Sequence, residues 1–235
     1  MPLRSLLVAL AAAALCAATP LRAQTDHYSL STWFAAGNNH SNNYGVAFGY
    51  GPDGMDRSGL RFEASALRGT YRYPLAEAPD GEVRGRYVNA SVGIGYALVR
   101  PSYGVTVSIG PALSDTDLSF ARPGDRTGNR VGAKVGFLAY ANPAGAPSMF
   151  SFGGYSTADR AGHVYANLGF ALPWGLSTGP EVAYFETTDY RQTRVGLHLS
   201  GFRVGKFKAG ISVGRSRDMN GNHENQVGLN AYTTF

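Results

Sequence analysis

Apolar residues recur at every second position through most of this chain, and the intervening positions hold glycine, serine and other small or polar residues. That period marks a strand with two unlike faces. The clearest run sets Val88, Ala90, Val92, Ile94, Tyr96 and Leu98 against Asn89, Ser91, Gly93, Gly95 and Ala97. Tyr103, Val105, Val107 and Ile109 follow against Gly104, Thr106, Ser108 and Gly110, and then come Val131, Ala133, Val135, Phe137 and Ala139. Earlier runs are built on Tyr28, Leu30 and Phe34; on Tyr44, Val46, Phe48 and Tyr50; and on Leu60, Phe62, Ala64 and Ala66. Later runs carry Val164, Ala166, Leu168, Phe170 and Leu172; Val195, Leu197 and Leu199; Phe207, Ala209, Ile211 and Val213; and Val227 to Phe235. Phe150 and Phe152 mark a shorter seventh segment, and a ninth lies near Glu181 to Glu186, where the face is ambiguous. The pattern predicts about twelve strands, or ten if the first or seventh segment falls short.

Each clear segment has the length of a tilted strand crossing the hydrocarbon, about nine to eleven residues. Connections after even-numbered segments are short, as at Val99-Arg100-Pro101-Ser102 and Gly205-Lys206. Those after odd-numbered segments, such as 70–85, 114–129 and 216–224, are longer and more polar. Short inner turns and long outer loops describe a barrel with both ends in the periplasm; Gly51 to Ser58 breaks the rule, being too long for an inner turn. In lipid every backbone N–H and C=O must be paired, which only helices or closed sheets achieve. No stretch after the leader is apolar enough for a membrane helix. The predicted fold is therefore an all-β, antiparallel, up-and-down transmembrane barrel ending on an aromatic residue, Phe235. The alternative is a water-soluble barrel or sandwich with the apolar face turned inward.

The N-terminus reads as an export signal. Arg4 supplies positive charge, Leu6 to Ala18 are apolar, and Leu21-Arg22-Ala23 suits cleavage before Gln24. Cleavage after Ala18 is an alternative, and Cys16 raises a lipoprotein, although Leu15 is bulky for a lipobox. The expected organisation is a signal peptide at 1–23 and a single barrel domain at 24–235, placed in the outer membrane among its lipids. Loss of the leader removes the only cysteine, which fits an exported chain without disulfides. It also removes Arg4 and Arg22, lowering the net charge of +5 by two. A balance so small and evenly spread does not point to nucleic acid. The 31 glycines relieve crowding inside a closed sheet, and the 14 tyrosines suit membrane–water girdles.

Candidate chemistry lies on the non-apolar face. His198-Leu199-Ser200 has the i, i+2 spacing that puts a base beside a hydroxyl, as an outer-membrane lipid hydrolase would need. The phase turns both side chains into the lumen, away from lipid. In Asn39-His40-Ser41-Asn42 the His and Ser are adjacent and would point to opposite faces of a strand, so this stretch reads as a polar loop. The same phase places Arg61, Glu63, Lys134, Arg194, Lys208, Gln226 and Asn230 inside, where they form a salt-bridge network or line a solute path. Tyr140, Tyr165 and Tyr232 are lumen aromatics that either stack on sugar rings or fill space. The histidines lack metal-ligand spacing, the glycine runs precede no helix that could cradle phosphate, and no cofactor is implied.

Gly179-Pro180-Glu181-Val182-Ala183-Tyr184-Phe185, followed by Asp189-Tyr190-Arg191-Gln192-Thr193-Arg194-Val195-Gly196-Leu197-His198-Leu199-Ser200-Gly201, resembles the cellulose biosynthesis protein BcsS family. Ser31-Thr32-Trp33-Phe34-Ala35-Ala36-Gly37 is compatible with it. The specific likeness covers about the last third of the chain. It implies an exported, non-enzymatic accessory protein of cellulose secretion, with cellulose or another glucan and other secretion components as partners. It carries over no catalytic residues, so Glu181, Arg194 and His198 are positions of resemblance, and Glu181 and Arg194 are expected to pair across neighbouring strands. The alternatives from the residues alone are the lipid hydrolase and a small general porin or adhesion barrel.

Overall fold

The computed structural model describes residues 26–38, 41–188 and 190–235. The leader, its cleavage site, Cys16, Asn39 and His40 lie outside them. Twelve strands follow in order: β1 (Tyr28–Gly37), β2 (Asn42–Tyr50), β3 (Gly59–Pro74), β4 (Glu82–Arg100), β5 (Tyr103–Leu118), β6 (Gly128–Ala141), β7 (Ser148–Ser156), β8 (Ala161–Ala171), β9 (Ser177–Glu186), β10 (Arg191–Val204), β11 (Phe207–Asp218) and β12 (His223–Thr234). Each pairs antiparallel with its neighbours in sequence, and β1 also pairs with β12, from Ser29 opposite Thr234 to Gly37 opposite Gln226. The sheet therefore has no free edge, which satisfies the backbone without water. A short 3-10 turn at Pro173–Gly175 is the helical element among the described residues.

Register confirms the phase read from sequence. Val92, Ile94, Tyr96, Val105, Val107, Ile109, Val195, Leu197, Val213, Val227 and Leu229 all stand exposed on the outer face. Tyr28, Phe48, Tyr50, Phe62 and Phe235 form an aromatic girdle where the two ends of the sheet meet, with ring centroids 5.1–6.1 Å apart in successive pairs. Backbone bonds between Tyr28 and Phe235 close that end.

Two expectations need correction. The loops at 70–85, 114–129 and 216–224 shrink to 75–81, 119–127 and 219–222, because β3, β4, β5 and β11 run on beyond the apolar belt. There the outer face carries Arg68, Arg72, Arg84 and Arg86 and the inner face Tyr71, Tyr73 and Tyr87, so the ladder continues while the hydrophobic alternation disappears. Phe150 and Phe152 of β7 face inward, opposite Asn167 and Tyr165 of β8. They belong to a lumen aromatic cluster with Tyr165 and His163, at centroid distances of 5.2–6.4 Å. The connection between β2 and β3 keeps the overlong bounds read from the sequence, 51–58, and packs onto Arg61, which is only 3% exposed. Arg61 donates from Nη1 to the Leu60 carbonyl at 2.9 Å, and from Nη2 to Met55 at 3.3 Å and to Arg57. Bonds from Gly51 N to His27 O (2.8 Å) and from Met55 N to Asp26 O (2.6 Å) tie the segment to the start of the sheet.

Candidate functional site

The inward residues fall into groups set by register. On the β9–β10 wall Glu181 lies opposite Gly196, and Arg194 opposite Ala183. The two charged residues are thus diagonal neighbours, and Arg194 Nη2 stands 2.6 Å from Glu181 Oε1. Glycine makes this possible. A Cβ on Gly196 would sit 3.1 Å from Glu181 Oε1, and one on Gly214 would sit 2.8 Å from Arg194 Nε. The pair therefore lies along the wall and does not bridge the lumen. Tyr165 OH donates to Glu181 Oε2 at 2.8 Å, Asn167 Nδ2 donates to Tyr165 OH at 3.0 Å, and Arg194 Nη2 donates to Ser212 Oγ at 2.9 Å. A buried carboxylate with an arginine and a phenol is a network of the kind that fixes neighbouring strands, although Arg194 Nε is buried without a hydrogen-bond partner.

His198 and Ser200 do share the inner face, opposite Ser212 and Gly210 of β11. They do not act on each other: Ser200 Oγ donates to the Ser177 carbonyl at 3.5 Å, and His198 Nδ1 is buried without a hydrogen-bond partner. Glu181, the carboxylate on the adjacent strand, is held by Arg194 and Tyr165.

Lys134 belongs to a separate group across the lumen. Its Nζ donates to Ser91 Oγ at 3.3 Å, Ser91 shares a 2.8 Å bond with Ser65, and Lys134 is within electrostatic reach of Glu63 and Asp159. Glu63 accepts from Ser108 Oγ at 2.8 Å. Asp159, on the β7–β8 loop, turns inward to accept from Asn89 Nδ2 at 3.4 Å. Lys208 and Tyr232 are cross-strand partners near the end marked by Phe235, and both are exposed to the lumen. Tyr140 of β6 covers Gly104 of β5 there, with ring atoms 2.5 Å from where a Cβ would stand.

Tyr165 stands in the lumen as its phase predicts, and alternation alone could also have found Asn167, Ser212 and Glu224, all in phase with the lumen set. Glu224 is a buried acceptor for Ser41 and for Gln226 Nε2 (2.9 Å), and Ser216 joins Gln226 to Gln192. Nearby Tyr190, in the β9–β10 loop, has its phenol pushed up to about 12 by burial and then by Asp218 and Glu224, so it stays neutral. Asp159 carried no signal, because a loop's inward turn is decided by distant contacts. Among the described residues no group of three or more metal-ligating side chains occurs.

The family model for cellulose biosynthesis protein BcsS matches residues 32–234, from the middle of β1 to the last residue of β12. The chain belongs to the BcsS family. The match runs through all twelve strands, well beyond the resemblance at 179–201. No curated protein matches it. Among solved structures it is similar to an outer membrane channel from Pseudomonas putida F1, with a TM-score of 0.54, 14% identity and coverage of 91% of this chain and 97% of that one. The TodX deltaS2S3 mutant monoaromatic hydrocarbon channel gives 0.50 and 7%, covering 90% of each chain. The KdgM porin gives 0.44 and 14%, covering 88% of this chain and 99% of that one. These identities speak to fold alone. A closed twelve-strand sheet with an apolar outer belt places this BcsS protein in the outer membrane, and its family ties it to cellulose biosynthesis.

Proposed function

We propose that this protein is a non-enzymatic accessory barrel that assists export or surface assembly of cellulose, inserted after removal of residues 1–23. The observation that carries the reading is the family match across the entire barrel. The lumen supports it. Its ion pair lies flat on glycines, and in the His198–Ser200 pair the serine turns to the Ser177 carbonyl and not to the imidazole. Glu181, Arg194, His198, Lys134, Lys208 and Tyr232 then act as lining: the first two brace the β9–β10 wall, and the last two meet a solute at the periplasmic mouth. Partners are a glucan chain and components of the secretion machinery.

The test is a chromosomal deletion followed by dye-binding and microscopy of surface cellulose. Reduced or disorganised cellulose is expected, restored equally by the wild-type gene and by Ser200→Ala. Unchanged cellulose would overturn the role. Failure of Ser200→Ala to restore it, with the protein folded, would favour a lipid-modifying enzyme.

A further inference from the structure

We propose that the lumen wall formed by β11, β12, β1 and β2 is a groove for a neutral, linear oligosaccharide, with Trp33 and Tyr232 as stacking platforms and Asn230 as the amide that reads hydroxyls. The inference rests on the cellulose reading above and names the site within it.

Inward positions on this wall include Gly210, Gly228, Gly45, Ala47 and Gly49, so larger side chains rise from it only at a few places. The aromatic residues of the opposite half, Phe150, Phe152 and Tyr165, pack on one another. The residues that rise from this thin wall have the chemistry of sugar recognition. Trp33 faces Gly45 on one side and Asn230 on the other. Its indole atoms approach to 2.2 Å from where a Gly45 Cβ would stand, so the ring folds back over β2 and leaves the passage clear. Tyr232 is two residues along from Asn230, is 41% exposed, and is flanked by Ser31 and Lys208. Trp33 and Tyr232 are diagonal cross-strand positions, whose backbones lie about 7–8 Å apart. With the indole turned over β2 and the phenol on β12, the two rings stand as successive platforms under one oligosaccharide.

Aromatic faces take up the C–H faces of a pyranose, and an amide both donates to and accepts from hydroxyls. The charges bordering the groove are already engaged. Arg194 is held by Glu181 and Ser212, and Glu224 by Ser41 and Gln226. Lys208 stands at the mouth. A neutral ligand matches this lining better than an anion, since pore lining and width set what passes.

The chain has two tryptophans, and Trp174 lies 92% exposed in the β8–β9 turn. Trp174→Phe therefore leaves Trp33 as a single lumen reporter. The full-length mature protein would be refolded in detergent, checked by heat-modifiable gel mobility, and titrated with cellohexaose, maltohexaose and an acidic oligosaccharide of similar length. Cellohexaose is expected to give a saturable change in Trp33 emission. Asn230→Ala and Tyr232→Ala should weaken it at least tenfold, and Leu138→Ala on the opposite wall should leave it intact. Should those variants fail to fold, block of single-channel current by cellohexaose in the Trp174→Phe protein is the second measurement. Saturable binding of maltohexaose but not cellohexaose would keep the groove and reject cellulose as its occupant. So would oligosaccharide binding by a protein whose deletion leaves cellulose unchanged. Preference for the acidic sugar, neither emission change nor current block with a neutral one, or unaltered affinity in folded Asn230 and Tyr232 variants would overturn the groove itself.

Discussion

At the residue scale, the energetics concentrate on one carboxylate. Glu181 is 5% exposed and its charge is balanced by Arg194 at 2.6 Å. Taking away the guanidinium leaves a buried anion with one phenol for company, and breaking a pair in this way costs about 3–5 kcal/mol, with a lumen that admits water toward the lower end. Arg194→Met should therefore lower the urea midpoint of the protein refolded in lipid vesicles. Glu181→Lys should do the same, and Glu181→Lys combined with Arg194→Glu should recover more than half of the loss. A double reversal no better than either single change would show that strand pairing, not the ion pair, holds this wall. Asn167 and Tyr165 extend the network to β8, so a full account of the coupling needs them in the same cycle.

At the scale of elements, the segment between β2 and β3 is the unusual part. Its length breaks the short-turn rule, and Arg61 holds it through the Met55 and Arg57 carbonyls. Hydrogen bonds to a charged donor contribute about 1.5–3 kcal/mol each, so Arg61→Ala should release Gly51–Ser58 while the β2–β3 ladder persists. Limited proteolysis of the folded protein should then cut within 51–58, and Arg61→Lys should protect in part. Resistance equal to wild type would assign the anchoring to the backbone bonds with His27 and Asp26 instead. This element also shows what alternation could tell. The segment's anomaly was legible in sequence, and its anchor was not, because Arg61 looked like any lumen charge. Strand existence and phase were legible wherever one face met lipid, as in β4, β5, β6 and β12. Strand ends were not, since Tyr71, Tyr73 and Tyr87 inside and arginines outside erase the contrast beyond the belt. Phe150 and Phe152 misled for the converse reason: an apolar pair can be set against Tyr165 in the lumen as well as against lipid. The Glu181–Arg194 pairing was readable from two strands at known spacing, whereas Asp159 turning in toward Asn89 depends on the folded loop.

For the whole molecule, the inverted distribution of residues decides everything else. Large apolar side chains cover the outside, and the inner face holds glycine, serine, amides and charges, so the sheet is stable only with hydrocarbon around it. Leu197 tests this, because it sits on the belt at 60% exposure between the inward Gly196 and His198. If lipid surrounds the belt, Leu197→Arg places a cation in hydrocarbon and costs about 2–4 kcal/mol near the bilayer midplane. If the outer face met water, the same change would cost almost nothing, as a surface substitution on any soluble sheet does. Arg215 supplies an internal reference: it also points outward, opposite Val195, nearer the loop end of the same strand pair. Arg215→Leu should be nearly neutral by the same depth argument. Urea unfolding of both variants in phospholipid vesicles therefore maps the belt's edge, and equal costs at the two positions would mean that depth in a bilayer is not what the outer face was built to meet.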